Sequence, residues 1–163
     1  MASTVTIEVV PLADKPVLQH LMEFYLYDFS EIDGKDIGPH GTYAYAYPYL
    51  DYYWREPGRF PFFIKLDGWL AGFALVRAAA DAPADMAEFF VLRSYRRKGV
   101  GSAAAKVIFA RYPGEWTVRE HPDNTGAQVF WRRVIGEFAG RYEESVGDGE
   151  PVTQRFVSGG ASA

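Results

Sequence analysis

The chain has 163 residues, 48% of them hydrophobic and 23% charged, a length that suits one domain with one core and a composition that excludes wholesale disorder. Lys and Arg number 17 against 21 Asp and Glu, a net charge of −4, which argues against a nucleic-acid partner because binding to a phosphate backbone needs clustered cations that release counterions. There is no cysteine, so disulfides, thiolate metal sites and thiol nucleophiles are excluded.

The opening MASTVTIEVV lacks the basic start and apolar run of a secretory signal, and no stretch approaches the roughly 18 apolar residues of a membrane span. A cytoplasmic location with no membrane partner is the expectation. Val5 to Val10 reads as a strand. Asp14 is placed to cap a helix in which Val17, Leu18, Leu21, Met22, Tyr25 and Phe29 recur at helical spacing. Residues 31–42, with their mixture of Gly, Pro and acids, read as a loop. The next segment, YAYAYPYLDYYW, holds Tyr43, Tyr45, Tyr47 and Tyr49 in strand-like alternation. Pro48 followed by Tyr49 to Trp54 also suits a short helix with Pro in its first turn, which is the favoured reading.

From Phe60 two apolar runs, FPFFIKL and WLAGFALVRA, flank Asp67-Gly68, the signal of an antiparallel hairpin. MAEFFVL is a third buried run, followed by the loop SYRRKGVG, a helix beginning near Ser102 and ending at Pro113-Gly114, and a short strand from Trp116 to Arg119. Asn124 then caps a helix carrying Ala127, Phe130, Trp131, Val134, Ile135 and Phe138 at helical spacing. Tyr142 to Val146 and Val152 to Val157 read as two strands joined through Gly147-Asp148-Gly149. Hairpins early and late with one strand–loop–helix–strand crossover between them predict an α+β fold over a single domain, residues 1–157, with a flexible tail over 158–163.

The loop Arg96-Arg97-Lys98-Gly99-Val100-Gly101 leads from a strand into a helix. The first N–H groups of a helix have no intrahelical acceptor, and glycines let an anion approach them closely. Three cations beside them suit a pyrophosphate. Taken alone, the six residues are equally an ordinary helix entry with a solvated basic turn.

In context, this segment resembles the GNAT superfamily of acetyl-CoA-dependent N-acetyltransferases. FFVLRSYRRKGVGSAAA is similar to the family's cofactor segment, with Arg96, Gly99 and Gly101 in the matching places. Downstream, Asn124, Ala127, Phe130, Trp131, Gly136 and Phe138 match a second family pattern. The resemblance implies a mixed, mostly antiparallel sheet flanked by helices, with a splayed parallel strand pair forming the cofactor cleft. It also implies acetyl-CoA as cosubstrate, with the pyrophosphate on the loop amides (Arg96, Arg97, Lys98, Gly99, Val100, Gly101, Ser102), the pantetheine arm along the backbone around Phe90 and Val91, and a contact from Asn124. Asn124 is equally readable as a plain helix cap.

Acetyl transfer to an amine needs a neutral amine and a proton for the departing thiolate, with no metal. Glu88 alternates with Phe90 and Leu92 on one face of its strand. Burial among aromatic residues raises a carboxyl pKa toward that of a useful general base, so Glu88 is the candidate base, against the alternative of a solvated strand-end carboxylate. Trp131 stands where many family members carry a tyrosine that protonates the thiolate. By position it is a candidate catalytic residue, yet an indole N–H donates a hydrogen bond and not a proton. His20, His40 and His121 show no metal-ligand spacing, and His121 is the one placed near the presumed cleft.

Glu31, Asp33 and Asp36, assigned to the loop after the first helix, and the aromatic residues of 43–54 point to a small amine acceptor with an apolar body. The expected activity is therefore acetyl transfer from acetyl-CoA to a primary amine of a small molecule. The substitution at Trp131 keeps open a catalytically silent acyl-CoA-binding or regulatory module, and a homodimer is compatible with the sequence.

Overall fold

The computed structural model describes residues 2–159. Seven strands form one sheet in the order β1-β2-β3-β4-β5-β7-β6: β1 Val5–Val9, β2 Arg59–Leu66, β3 Trp69–Arg77, β4 Ala84–Val91, β5 Gly114–Glu120, β6 Glu143–Ser145 and β7 Val152–Ser158. The helices are α1 Lys15–Asp33, α2 Val100–Arg111 and α3 Thr125–Ala139. All neighbouring pairs are antiparallel except β4 and β5. The α+β expectation therefore holds. No helix among the described residues is long and apolar enough to cross a membrane.

Alternation divides the core between the two faces of the sheet. In β2 and β3, Phe62, Ala74 and Val76 turn toward α2 and α3, where they meet Ile108, Phe109, Trp116, Trp131, Ile135 and Phe156. Phe63, Phe73 and Leu75 turn the other way and pack with Leu18, Leu21 and Met22 of α1. Each such large apolar side chain contributes about 1.5–3 kcal/mol on full burial. The hairpin turns on Asp67 (φ 51°) and Gly68 (φ 85°), the left-handed pair that a two-residue type I′ turn requires.

Several local expectations are corrected. Asp14 flanks α1 but its side chain makes no capping hydrogen bond, because a 3-10 turn over Leu12–Asp14 leads directly into the helix. The helix also runs further than the composition indicated. It stops only at Gly34, where φ is +69° and the N–H returns to Ser30 O, so Glu31 and Asp33 belong to its last turn and not to the loop. The favoured short helix of the aromatic segment is present as a 3-10 helix over Leu50–Trp54, but Pro48 lies ahead of its first turn and a further 3-10 turn, Ala44–Ala46, precedes it. The last strand extends through Ser158, whose hydroxyl donates to Phe109 O, so the tail does not begin at 158. Residues 160–163 of the expected tail lie outside the described residues.

Two features of β4 shape the site. Its pairing with β5 is confined to Ala84↔Trp116 and Asp85↔Thr117, so the parallel pair parts beyond that point and opens a V. Its register against β3 also slips, with Leu75 opposite Glu88 and Val76 opposite Met86. Ala87 is the extra residue of a bulge, and it packs on the α1 face together with Phe90 while Met86 faces α2 and α3.

Candidate active site

A cleft of about 910 Å³ lies at the opening between β4 and β5. Its walls come from α1, the β4 end, the entry to α2 and the start of α3, and include Tyr25, Phe89, Val91, Arg96, Gly101 and Phe130. The Leu92 N–H donates to Ala71 O on β3. Antiparallel pairing alternates, so the N–H and C=O groups of Phe89 and Val91 face the other edge, toward the opening. Gly72 sets the position of this strand: a Cβ there would lie 2.0 Å from Phe90 O, so any side chain would push β4 away.

The entry to α2 contains two left-handed residues, Arg97 (φ 61°) and Gly99 (φ 77°). Such a conformation is unfavourable for arginine and tolerated by glycine. The first bond of the helix is Ala103 N–H to Gly99 O, which leaves the N–H groups of Val100, Gly101 and Ser102 at the N-terminus with no intrahelical partner. The positive end of the helix dipole adds to them. Arg96 is fixed from three sides. Its Nε donates to Val91 O at 2.8 Å, its Nη2 donates to Asp28 Oδ2 at 2.9 Å, and its guanidinium lies 5.6 Å from the centroid of the Phe90 ring. Arg93 also donates to Asp28. Partial burial pushes the Asp28 pKa up, but the bonds from Arg93 and Arg96 outweigh it and hold the carboxylate below its usual range.

Of the residues singled out in the sequence, Phe90, Val91, Arg96, Arg97, Gly99, Gly101, Ser102, Asn124 and Trp131 line this cleft. Lys98 and Val100 do not. The Lys98 ammonium lies 5.9 Å from the Tyr95 ring, and the Val100 side chain is buried beside Ile64 and Ala104, so Val100 can face a ligand only through its N–H. The Asn124 Oδ1 accepts from Ala127 N at 3.1 Å and caps α3. Trp131 is 94% buried by area, being 6% exposed, and packs edge-on against Phe89 at 5.0 Å and Phe130 at 4.9 Å. It is part of the core as well as of the wall.

Glu88 lies on the α1 face of β4, where its Oε2 accepts a hydrogen bond from the Tyr25 hydroxyl. Burial raises its pKa to about 7, and the Tyr25 bond and the charge of Arg77 hold it from rising further. Tyr47 and Tyr53, from the two turns of the aromatic segment, stand near enough to feel its charge, and burial raises both phenols. Tyr25 thus connects the cleft to a half-buried carboxylate. In the sequence Tyr25 is only one more position of the apolar spacing of α1. A hydroxyl-bearing residue on the sheet-facing side of a helix, opposite a strand acid, was the signal.

The acids expected to select an acceptor are scattered. Glu31 lines the cleft beside Arg93, Asp33 Oδ1 accepts from Lys35 N, and the exposed Asp36 receives the Tyr45 hydroxyl at its backbone oxygen. The His121 ring stands edge-on to Phe29 at 5.8 Å, and its Nδ1 accepts from Asp123 N. His20 and His40 are exposed.

A model described as the acetyltransferase (GNAT) family matches residues 18–136. No curated protein matches the sequence. Among solved structures, an acetyltransferase from Thermus thermophilus superposes with a TM-score of 0.69 at 17% identity, covering 94% of this chain and 96% of that one. A PaiA N-acetyltransferase from Thermoplasma acidophilum in complex with coenzyme A gives 0.62 at 12% identity over 94% and 99% of the two chains. A GNAT-family acetyltransferase from Staphylococcus aureus gives 0.65 at 12% identity over 94% and 99%. At these identities the likeness is one of fold.

Proposed function

Because the chain belongs to the GNAT acetyltransferase family, we propose that it transfers an acetyl group from acetyl-CoA to the primary amine of a small-molecule acceptor, by direct attack within a ternary complex. The observation that carries this reading is the junction at Tyr25, which lines the cleft between β4 and β5 and donates to the half-buried Glu88 on the strand forming its edge. A base and a cofactor-sized cleft meet there.

The residues fit acetyl-CoA. The unpaired N–H groups of Val100, Gly101 and Ser102, with Arg97 beside them, would take the pyrophosphate, as helix N-termini do. The edge groups of Phe89 and Val91 would take the amide-bearing arm in the manner of an added strand. Val91 O is already held by Arg96, so the Val91 N–H and the Phe89 groups remain for this. When bound, acetyl-CoA supplies the activated acetyl group.

Glu88 then removes the proton of the acceptor ammonium, directly or through one water. A base with a pKa near 7 is well matched to this task, being deprotonated at working pH and still basic enough to take a proton. The amine nitrogen forms the bond to the acetyl carbon as the carbon–sulfur bond breaks. The second N–H proton of the attacking nitrogen, acidified by the new bond, passes through water to the departing sulfur, whose thiol has an ordinary pKa of about 8.5, and Trp131 is left with a shaping role in the wall.

Release of free CoA from acetyl-CoA, followed with a thiol reagent across a panel of primary amines, tests the proposal. The expected result is amine-dependent CoA release. Acetyl-CoA binding with no release for any amine would overturn it in favour of a silent acyl-CoA-binding module.

A further inference from the structure

On the α1 face, next to Glu88, the register places one row of residues across five strands: Arg59↔Arg77, Arg77↔Asp85, Asp85↔Thr117 and Thr117↔Arg155. Arg119, two residues beyond Thr117 on β5, shares this face. Asp85 sits at the centre with both oxygens engaged. Its Oδ2 accepts from Arg77 Nη2 and its Oδ1 from Arg119 Nη1 at 3.3 Å. The Asp85 side chain is 12% exposed, whereas Arg77 and Arg119 are 49% and 51% exposed.

Two guanidinium groups therefore share one buried carboxylate, which leaves a local charge of about +1 and several N–H donors facing solvent, since each guanidinium carries five. Arg59 adds no further unbalanced charge, because Glu56 pairs with it. The row lies close to Glu88. Leu75 is opposite Glu88 and Arg77 opposite Asp85, so two residues of β3, about 7 Å, separate them. Tyr47 and Tyr53 lie near both, since their hydroxyls feel the charges of Glu88 and Arg77.

We propose that Arg77 and Arg119 form an acceptor subsite for an anionic group, carboxylate or phosphate, carried by the same small molecule whose amine reaches Glu88. This rests on the acetyltransferase reading and adds the acceptor's second functional group. A cation meets like charge there, whereas an anion meets a preorganised pair of planar donors. It also reverses the charge preference drawn from Glu31, Asp33 and Asp36, because Glu31 lies on the cleft wall, Asp33 in the last turn of α1 with Lys35 beside it, and Asp36 in the loop beyond.

The test compares matched acceptors under saturating acetyl-CoA: glycine with glycinamide, β-alanine with β-alaninamide, and phosphoethanolamine with ethanolamine. At least one anionic member is expected to exceed its neutral twin about tenfold or more in kcat/KM, the scale of a charged hydrogen bond. The carboxylate and phosphate arms identify which anion is preferred. Arg119→Gln should bring that ratio toward one, mainly through the KM of the anionic member, while leaving the acetyl-CoA thermal shift unchanged, and Arg119→Lys should restore part of it. Neutral acceptors used as well as or better than anionic ones, or a ratio that survives Arg119→Gln, would overturn the subsite. The thermal shift that each acceptor adds to the acetyl-CoA-bound protein reads the subsite without turnover. A shift from the anionic member alone, lost in Arg119→Gln, supports the subsite even if CoA is never released, which would count against the transfer reaction only. Equal shifts from both members overturn it.

Discussion

The Tyr25 hydroxyl on α1 donates to Glu88 Oε2 on β4, joining residues 63 positions apart in the chain. Burial, and then the charge of Glu88, push the Tyr25 phenol well above its ordinary value, so it remains a donor throughout the working pH range. The same bond restrains the upward effect of burial on Glu88. Tyr25→Phe should therefore move the Glu88 limb of the kcat/KM profile upward from about 7 by roughly one to two pH units, the equivalent of a hydrogen bond to a charged group. A limb that stays in place would show that the two groups are not coupled in the working enzyme.

Glu88→Gln keeps the shape and removes the base. Turnover should fall by about 10²–10⁴-fold, with acetyl-CoA affinity nearly unchanged, because Glu88 is on the α1 face of β4 and is not among the residues lining the cleft. With Glu88 as the base, wild-type activity should rise with pH through about 7 as Glu88 loses its proton, and the variant should lose that rise. Retention of wild-type rates and pH dependence would place the base elsewhere.

Ser102→Glu places a negative charge at the N-terminus of α2, where the pyrophosphate is proposed to sit. It should abolish the stabilisation that acetyl-CoA gives by binding the native state, about 2.7 kcal/mol at a concentration of 100 times Kd, as read by thermal shift. Gly101 is a poorer position for this test. A Cβ there meets the Phe130 ring at 3.2 Å and Val91 at 3.4 Å, so even Gly101→Ala disturbs packing. An undiminished shift in Ser102→Glu would remove the loop from the binding site.

Glu120 on β5 is 4% exposed, and its Oε1 accepts from Gln154 Nε2 at 2.7 Å. Its Oε2 and Gln154 Oε1 are both buried with no partner. Burial raises its pKa to about 7, and a proton on Oε2 converts an orphaned acceptor into a donor, the kind of group that Gln154 Oε1 lacks. The native state binds this proton more tightly than the unfolded chain, so its contribution is fully present below the ordinary carboxylate pKa and is lost as pH rises through about 7. Glu120→Gln mimics the protonated form. Relative to wild type it should gain stability between acidic and alkaline pH, by up to about 3 kcal/mol, measured by denaturant melts at both ends of the range. A pH-independent difference would show that Glu120 ionises in the fold as freely as in the unfolded chain.

Sequence alone determined the elements whose cause is local. The alternation of Phe62 with Phe63 fixes which face each occupies, Asp67-Gly68 fixes the hairpin, and Asn124 caps α3, because pleat, turn and cap each depend on residues a few positions apart. The glycine loop ahead of α2 was legible for the same reason, and with it most of the cleft wall. Tertiary structure decided what depends on residues far apart in the chain. The bulge at Ala87 arises from pairing with β3, the splay of β4 from β5 begins after Asp85↔Thr117, and α1 brings Tyr25 onto Glu88. No periodicity in the chain encodes that Arg77, Asp85 and Arg119 share one face beside that carboxylate, since they meet only when three strands take their register. Charge is set by composition, but which charges neutralise one another, and which are left over for a ligand, is decided by that register.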